Sequence, residues 1–242
     1  MNALWSGLAA GCLILAVVPM AYTFLLALAA RLPARNPGEW QEAREVAVLV
    51  PAHNEEATVG RLLDDLHRQG RPPACVLVVA DGCSDRTATV AREHGAAVLE
   101  LPAPAAGKPR ALQAGIQHLE RIPWDTLLVV DADCRVSPDF LARARSGRGV
   151  VSQASVVLQG QAEGAAYDYA SRLENRVFHA GRARLGFTAF LRGTGMFLGR
   201  DALERRPWAA TGLTEDRAQG LAFLRAGASS PSTALSAPRG LK

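Results

Sequence analysis

Thr126-Leu127-Leu128-Val129-Val130-Asp131-Ala132-Asp133 is an apolar run that ends in two carboxylates one residue apart. A short continuous apolar run bounded by polar residues is the pattern of a strand buried on both faces, as in a parallel sheet. Such a strand delivers its last residues to a loop, where Asp131 and Asp133 can both face a divalent cation that holds a diphosphate. The same two residues also suit a turn and cap ahead of a helix starting near Pro138, a common use of Asp after a strand. The context on either side has to separate the two readings.

Upstream, short apolar runs alternate with helix-period runs, which is the signature of βαβ units around a mainly parallel sheet. Strands are expected at residues 46–50, 76–80 and 97–101. A helix from about Ala57 carries Val59, Leu62, Leu63 and Leu66 at i, i+3, i+4, i+7, and its other face is charged. Further helices are expected over residues 87–94 and around Leu112, Gly115, Ile116 and Leu119, with Pro102 and Pro104 breaking the pattern between them. Downstream, residues 150–158 read as a strand, 165–179 as a helix, and 215–226 as a helix opening on Glu215 and Asp216. Ligands of open α/β sheets bind beyond the carboxyl ends of strands. His53-Asn54-Glu55-Glu56, Asp81 and the Asp131/Asp133 pair all fall at such ends.

The chain has 242 residues, 49% hydrophobic and 21% charged, enough for one sizeable α/β domain plus a membrane segment. No charged residue occurs over residues 1–30, and crossing a bilayer takes roughly 20 apolar residues. This stretch, with Trp5 and Tyr22 as interfacial or packing aromatics, is read as a transmembrane anchor. A cleaved signal peptide would want a charged start and a shorter apolar core. Arg31, Arg35 and Arg44 follow, so the positive-inside rule places the remainder in the cytosol, as a single-pass protein of the cell membrane. Residues 31–45, with Pro33 and Pro37, read as a linker, residues 46–228 as the domain, and 229–242, rich in Ser, Pro and Ala, as a disordered tail. Cys12, Cys75, Cys83 and Cys134 show no C-x-x-C spacing and read as reduced and structural. The net charge of +4 is mild, and no Lys/Arg run is dense enough to argue for nucleic acid.

In order along the chain stand Val50-Pro51-Ala52-His53-Asn54-Glu55-Glu56, Val79-Ala80-Asp81-Gly82-Cys83-Ser84-Asp85, Asp131-Ala132-Asp133, Arg192-Gly193-Thr194-Gly195-Met196 and Thr214-Glu215-Asp216. Over about residues 46–227 this series resembles the family 2 glycosyltransferases of GT-A fold. The resemblance implies a Rossmann-like α/β sheet with flanking helices and an inverting transfer from a nucleotide sugar, commonly a UDP-sugar, with Mg²⁺ or Mn²⁺. It implies that Pro51 and Glu55 border the nucleotide and that Asp81 faces the base or ribose. It assigns Asp131 and Asp133 to metal and diphosphate, and Asp216 to the catalytic base. Glu215 and Lys108 are counted with the nucleotide-sugar site, Lys108 as a phosphate contact in a Gly107-Lys108 pair.

Elementary chemistry supports these roles. A departing diphosphate develops negative charge that a cation neutralises, and Mg²⁺ commonly takes only one or two carboxylates besides phosphates. An inverting transfer needs one base on the face opposite the leaving group, a task contributing about 10² to 10⁴-fold in rate. Asp216 and Glu215 are also what a first helical turn prefers for its dipole, and Lys108 also suits an exposed helix start. Tyr167, Tyr169 and Phe178 suit either an acceptor groove or a core, and Arg143, Arg145 and Arg148 either anionic lipid or solvent. His53 suits a phosphate contact or solvent, while His67, His94, His118 and His179 show no partner in the sequence.

A P-loop is excluded because Pro102 holds its first Gly position and no Ser or Thr follows Lys108. A nucleotidyltransferase would want a basic Gly-rich loop where His53-Asn54-Glu55-Glu56 stands, and no G-x-G-x-x-G follows a strand as a dinucleotide oxidoreductase requires. Ala80 replaces the first of two adjacent aspartates that many family members carry. The Gln-x-x-Arg-Trp motif and further transmembrane helices of many members do not follow Asp216 either. The expectation is therefore a membrane-anchored glycosyltransferase acting on a polysaccharide or lipid-linked acceptor. The alternative is a truncated, non-catalytic chain that binds sugar nucleotide or a partner protein.

Overall fold

The computed structural model describes residues 2–33, 40–154, 169–170, 173–187, 190–209, 212 and 214–228. The expected tail at 229–242, Arg35 and Pro37 of the expected linker, Tyr167, and parts of the expected strand 150–158 and helix 165–179 lie outside the described residues.

Six strands form the main sheet: β2 (Val46–Ala52), β3 (Cys75–Asp81), β4 (Ala97–Leu101), β5 (Thr126–Val129), β7 (Val151–Gln153) and β8 (Met196–Gly199), in the order β4-β3-β2-β5-β8-β7. The β4-β3-β2-β5 part is parallel, with Val46 opposite Thr126 and Val48 opposite both Val76 and Leu128. Successive side chains of a strand point to opposite faces, and both faces are apolar here because both are covered. Val46, Val48 and Val50 pack with Val59, Leu62, Leu63 and Leu66 of α2 (Val59–His67). Ala47 and Leu49 pack on the other side with Ala111, Leu112, Ile116 and Leu119 of α4 (Lys108–Leu119). Between these elements, α3 (Thr87–Glu93) precedes β4. At Gly115 the helix lies so close to the sheet that an added Cβ would sit 2.4 Å from Leu49 Cδ1.

Four departures from the sequence reading bear on the site. First, β8 runs antiparallel between β5 and β7, although only a loop motif was expected there. Four residues preceded closely by Gly193 and Gly195 and ending on Gly199 carry too little period to be read as a strand. Second, no α-helix starts near Pro138; residues 134–140 are irregular and a single 3-10 turn spans Leu141–Arg143. The backbone there is bonded instead by Gln69, two residues past α2, with Gln69 Nε2 donating to Ser137 O (2.7 Å) and Leu141 N donating to Gln69 Oε1 (3.0 Å). Third, the expected linker contains a strand: β1 (Gln41–Glu42) pairs antiparallel with β6 (Arg145–Ser146). Arg145 thus lies in a strand, and Arg143 is paired with Asp139 at 2.6 Å. Fourth, the expected helix 165–179 continues further, with a wide turn at Glu174–His179 leading into α5 (Ala180–Arg184).

The charge-free N-terminus forms one helix, α1 (Asn2–Ala29). Most of its length stands exposed, while Leu26 and Ala29 near its end are buried against α5. The two backbones touch there: a Cβ on Gly181 would lie 2.2 Å from Leu26 O. Two more helices, α6 (Arg200–Arg205) and α7 (Glu215–Arg225), complete the described chain.

Candidate active site

A cleft of about 390 Å³ opens at the carboxyl ends of β2, β3 and β5. It is lined by Pro51 near the end of β2, His53 and Glu55 after it, Asp81 at the end of β3, Gly107 and Lys108 at the start of α4, and Asp131 and Asp133 after β5. The doubly covered strands hold these ends rigidly, and the loops beyond them interlock. Asn54 takes the left-handed conformation (φ 55°), which Asn tolerates better than most residues, and its Oδ1 accepts Ser84 N–H at 2.8 Å. Glu56 N–H donates to Asp85 Oδ2 at 3.1 Å while Arg86 N–H donates back to Glu56 Oε2 at 2.8 Å. Glu55 N–H donates to Thr87 Oγ1 at 2.7 Å, and Thr58 Oγ1 donates to Glu55 Oε2 at 2.6 Å, which fixes the carboxylate at the cleft wall.

Asp131 and Lys108 form a short ion pair in the cleft. Burial pushes the Asp131 carboxyl up from its ordinary value, the Lys108 ammonium opposes that, and the charges of Asp133 and Glu55 add to it. Asp131 N–H also donates to Thr194 Oγ1 at 3.0 Å, so the loop before β8 is tied to the Asp-x-Asp loop. Asp133 is exposed at the cleft wall. Among the described residues no three His, Cys, Asp or Glu side chains form a ready-made metal cage. Two carboxylate oxygen donors beside an open cleft fit a hard cation that takes its remaining ligands from phosphate and water.

Asp216 approaches from α7. The point a Cβ would occupy on Gly193 lies 3.4 Å from Lys108 Nζ and 3.8 Å from Asp216 Oδ2, so the lysine and this carboxylate flank one glycine. Asp216 is half-buried, and its Oδ1 accepts Arg217 N–H at 2.8 Å. Glu215, its neighbour, is buried at 8% exposure, and neither of the two is among the residues that line the cleft. Asp81, expected to face base or ribose, lines the cleft and also bonds the loop ahead of α4. It is 3% exposed, and its two oxygens accept the N–H groups of Ala106 (3.1 Å) and Gly107 (2.7 Å). It therefore holds the loop that delivers Lys108.

Three residues have positioning roles that the sequence reading did not assign. Gln153, 1% exposed on β7, donates from Nε2 to Thr194 O at 2.7 Å and accepts Arg192 N–H on Oε1 at 2.8 Å. Thr194 makes the hydroxyl contact to Asp131 described above. Asp65 on α2 accepts Arg135 Nη2 at 2.9 Å and Val136 N–H at 3.3 Å, which anchors the chain leaving Asp133. Burial raises the Asp65 carboxyl, and the Arg135 pairing overrides this to leave it below its ordinary value. The signal that could have found Gln153 is its place inside an apolar strand, where a buried amide must find partners. Three histidines read as lacking partners, or as loop residues, do have partners. His53 Nδ1 lies 2.7 Å from Asp81 O, His94 Nδ1 lies 2.8 Å from Asp64 Oδ1, and His179 Nε2 lies 3.3 Å from Glu174 Oε1. Phe178 packs edge-on against Tyr22 of α1 at 6.3 Å between centroids, and Tyr169 is exposed.

Comparison with known proteins bears on this arrangement. Residues 43–234 match the family described as "Glycosyltransferase like family 2". A segment of 94 residues is 37% identical to the 4,4'-diaponeurosporenoate glycosyltransferase of Staphylococcus aureus (strain bovine RF122 / ET3-1), covering 37% of this chain and 24% of that protein. The match thus spans about a quarter of the length of the curated relatives. In fold, the chain is similar to the mannosyltransferase PcManGT of Pyrobaculum calidifontis, solved with GDP-Man and Mn²⁺ (TM-score 0.68, 19% identity, 88% of this chain and 61% of that one). It is also similar to the glucosyl-3-phosphoglycerate synthase of Mycobacterium tuberculosis, solved with Mn²⁺, UDP and phosphoglyceric acid (TM-score 0.53, 22% identity, 85% and 69% covered). With its GT-A sheet, its cleft at the strand ends and a family match over most of its length, the chain belongs to the family 2 glycosyltransferases.

Proposed function

We propose that the chain is an inverting, metal-dependent glycosyltransferase that moves a sugar from a nucleotide sugar, most simply a UDP-sugar, to a polysaccharide or lipid-linked acceptor. The observation that carries this reading is that Lys108, Asp131 and Asp133 line one cleft while Asp216, from α7, flanks Gly193 together with Lys108. Solved relatives in fold were crystallised with UDP or GDP-Man and Mn²⁺.

In this reading Pro51 and Glu55 border the nucleotide, and Asp131 with Asp133 holds Mg²⁺ or Mn²⁺. The cation, when bound, offsets negative charge on the departing diphosphate. Lys108 leaves Asp131 and donates to a phosphate oxygen, and Asp81 keeps its loop in place through Ala106 and Gly107. Asp216 accepts the proton of the acceptor hydroxyl as that oxygen bonds to the anomeric carbon on the face opposite the leaving group. The bond between anomeric carbon and phosphate oxygen breaks with its electron pair going to the nucleoside diphosphate, so configuration inverts. Residues 1–30 form the membrane anchor, residues 46–228 the transferase domain on the cytosolic side, and Arg31 and Arg44 the positive flank.

Asp133→Ala and Asp216→Asn are each expected to abolish transfer from UDP-sugars to membrane acceptors, with folding checked by thermal melting. Asp133→Ala should lose nucleotide binding as well, whereas Asp216→Asn should keep it. Normal turnover by either variant rejects the assignment. Binding without turnover by the unaltered chain favours instead a non-catalytic sugar-nucleotide-binding protein.

A further inference from the structure

The junction of α1 and α5 carries a set of exposed apolar side chains that no part of the proposed chemistry uses. Leu173, Leu185, Phe187 and Phe190 are 38–50% exposed, and Leu28 and Leu32 beside them on the anchor are 48% and 51% exposed. Arginines are woven between them. The Arg182 guanidinium lies 4.3 Å from the Phe190 ring centroid and 5.0 Å from that of Phe187, and its Nη1 donates to Tyr22 Oη at 3.0 Å. Arg184 Nη1 donates to Leu32 O at 2.8 Å, and Arg176 is exposed.

The length of α1 says what covers this face. From Trp5 to Ala21 the side chains described are all exposed, over about 24 Å at ~1.5 Å per residue, close to the roughly 30 Å of a hydrocarbon core. With that part in the bilayer, the turns from Tyr22 to Ala29, and α5 packed on them, fall at the headgroup level. Aromatic rings and arginines with apolar stems are the side chains that suit this layer, since their bodies are apolar and their tips polar.

We infer that the segment Leu173, Leu185, Phe187 and Phe190 with Arg182 and Arg184 is a foot that rests in the lipid interface around the base of α1. The inference rests on α1 spanning the membrane. It has a consequence for the acceptor, because Phe190 is three residues from Gly193, and three residues of chain reach at most about 11 Å. Gly193 flanks Asp216 and Lys108. The catalytic face is thereby held about that far from the headgroups, where an acceptor seated in the bilayer meets it without leaving the membrane.

The test is photo-crosslinking of the full chain in native membranes. A diazirine-bearing side chain replaces Leu185, Phe187, Leu13 of α1, or Glu93 on α3, the last beside the sheet edge farthest from the foot. Adducts to phospholipid from positions 185, 187 and 13, and none from 93, are expected. Lipid adducts from 13 alone, or adducts from 185 and 187 to another polypeptide or a second copy of this chain, overturn the foot and leave the anchor standing. Absence of lipid adducts at 13 overturns the anchor reading and the foot together.

Discussion

His179 is a buried histidine whose environment sets a pH dependence. It is 7% exposed; burial and the neighbouring Arg192 charge push it down to about 4, against the pull of Glu174. An unfolded histidine titrates near 6.5, so between about pH 6.5 and 4 the unfolded chain binds a proton that the native chain does not. Stability therefore falls as pH falls through that window, by roughly 3 kcal/mol at its lower end. His179→Gln is expected to remove that part of the acid sensitivity, seen as a smaller drop in melting temperature between neutral pH and pH 4.5. An unchanged drop would place the sensitivity elsewhere. Single residues were also where the sequence was least legible. Asp81 was visible as an Asp at a strand end, but strand position does not reveal whether a carboxylate faces ligand or its own loop. Asp65 and Gln153 drew no role from the sequence because Arg135 and Arg192, the partners that reveal it, lie 70 and 39 residues away.

At the scale of elements, β2, β3, β4, β5 and the stripes of α2 and α4 were readable because each obeys a single period. β8 was not, being four residues between glycine-bearing turns, and the helix near Pro138 was wrongly expected because Gln69 and Asp65 satisfy that backbone from another element. The close approach of α4 to the sheet gives the elements a sharp test. Gly115→Val would drive its side chain into Leu49 and Val79, where an added Cβ already meets carbons at 2.4 and 2.9 Å. Overpacking of this kind costs typically about 1 to 3 kcal/mol, and because α4 begins with Lys108 the variant should also bind nucleotide less tightly. Chemical denaturation with a nucleotide titration checks both, and a variant as stable as the parent would mean that α4 does not lie where it is placed.

For the molecule as a whole, binding at the cleft should be visible as stability. UDP with Mn²⁺ at about 100 times the dissociation constant is expected to stabilise the fold by roughly 2.7 kcal/mol. Removing the metal with EDTA should remove most of that gain, and Asp133→Ala should behave like the chelated protein. A gain that survives EDTA would separate nucleotide binding from the two aspartates. The architecture also divides the labour of the sheet. Most cleft residues leave the parallel strands at their carboxyl ends, whereas Gly193 and Thr194 reach Lys108 and Asp131 from just ahead of the reversed strand β8. Asp216 joins them from α7, so the site takes residues from before and after the reversed strand. The reversed strand thus brings a late part of the chain back against the Asp-x-Asp loop, so that a change just ahead of β8 is felt at Asp131 through the Thr194 hydroxyl.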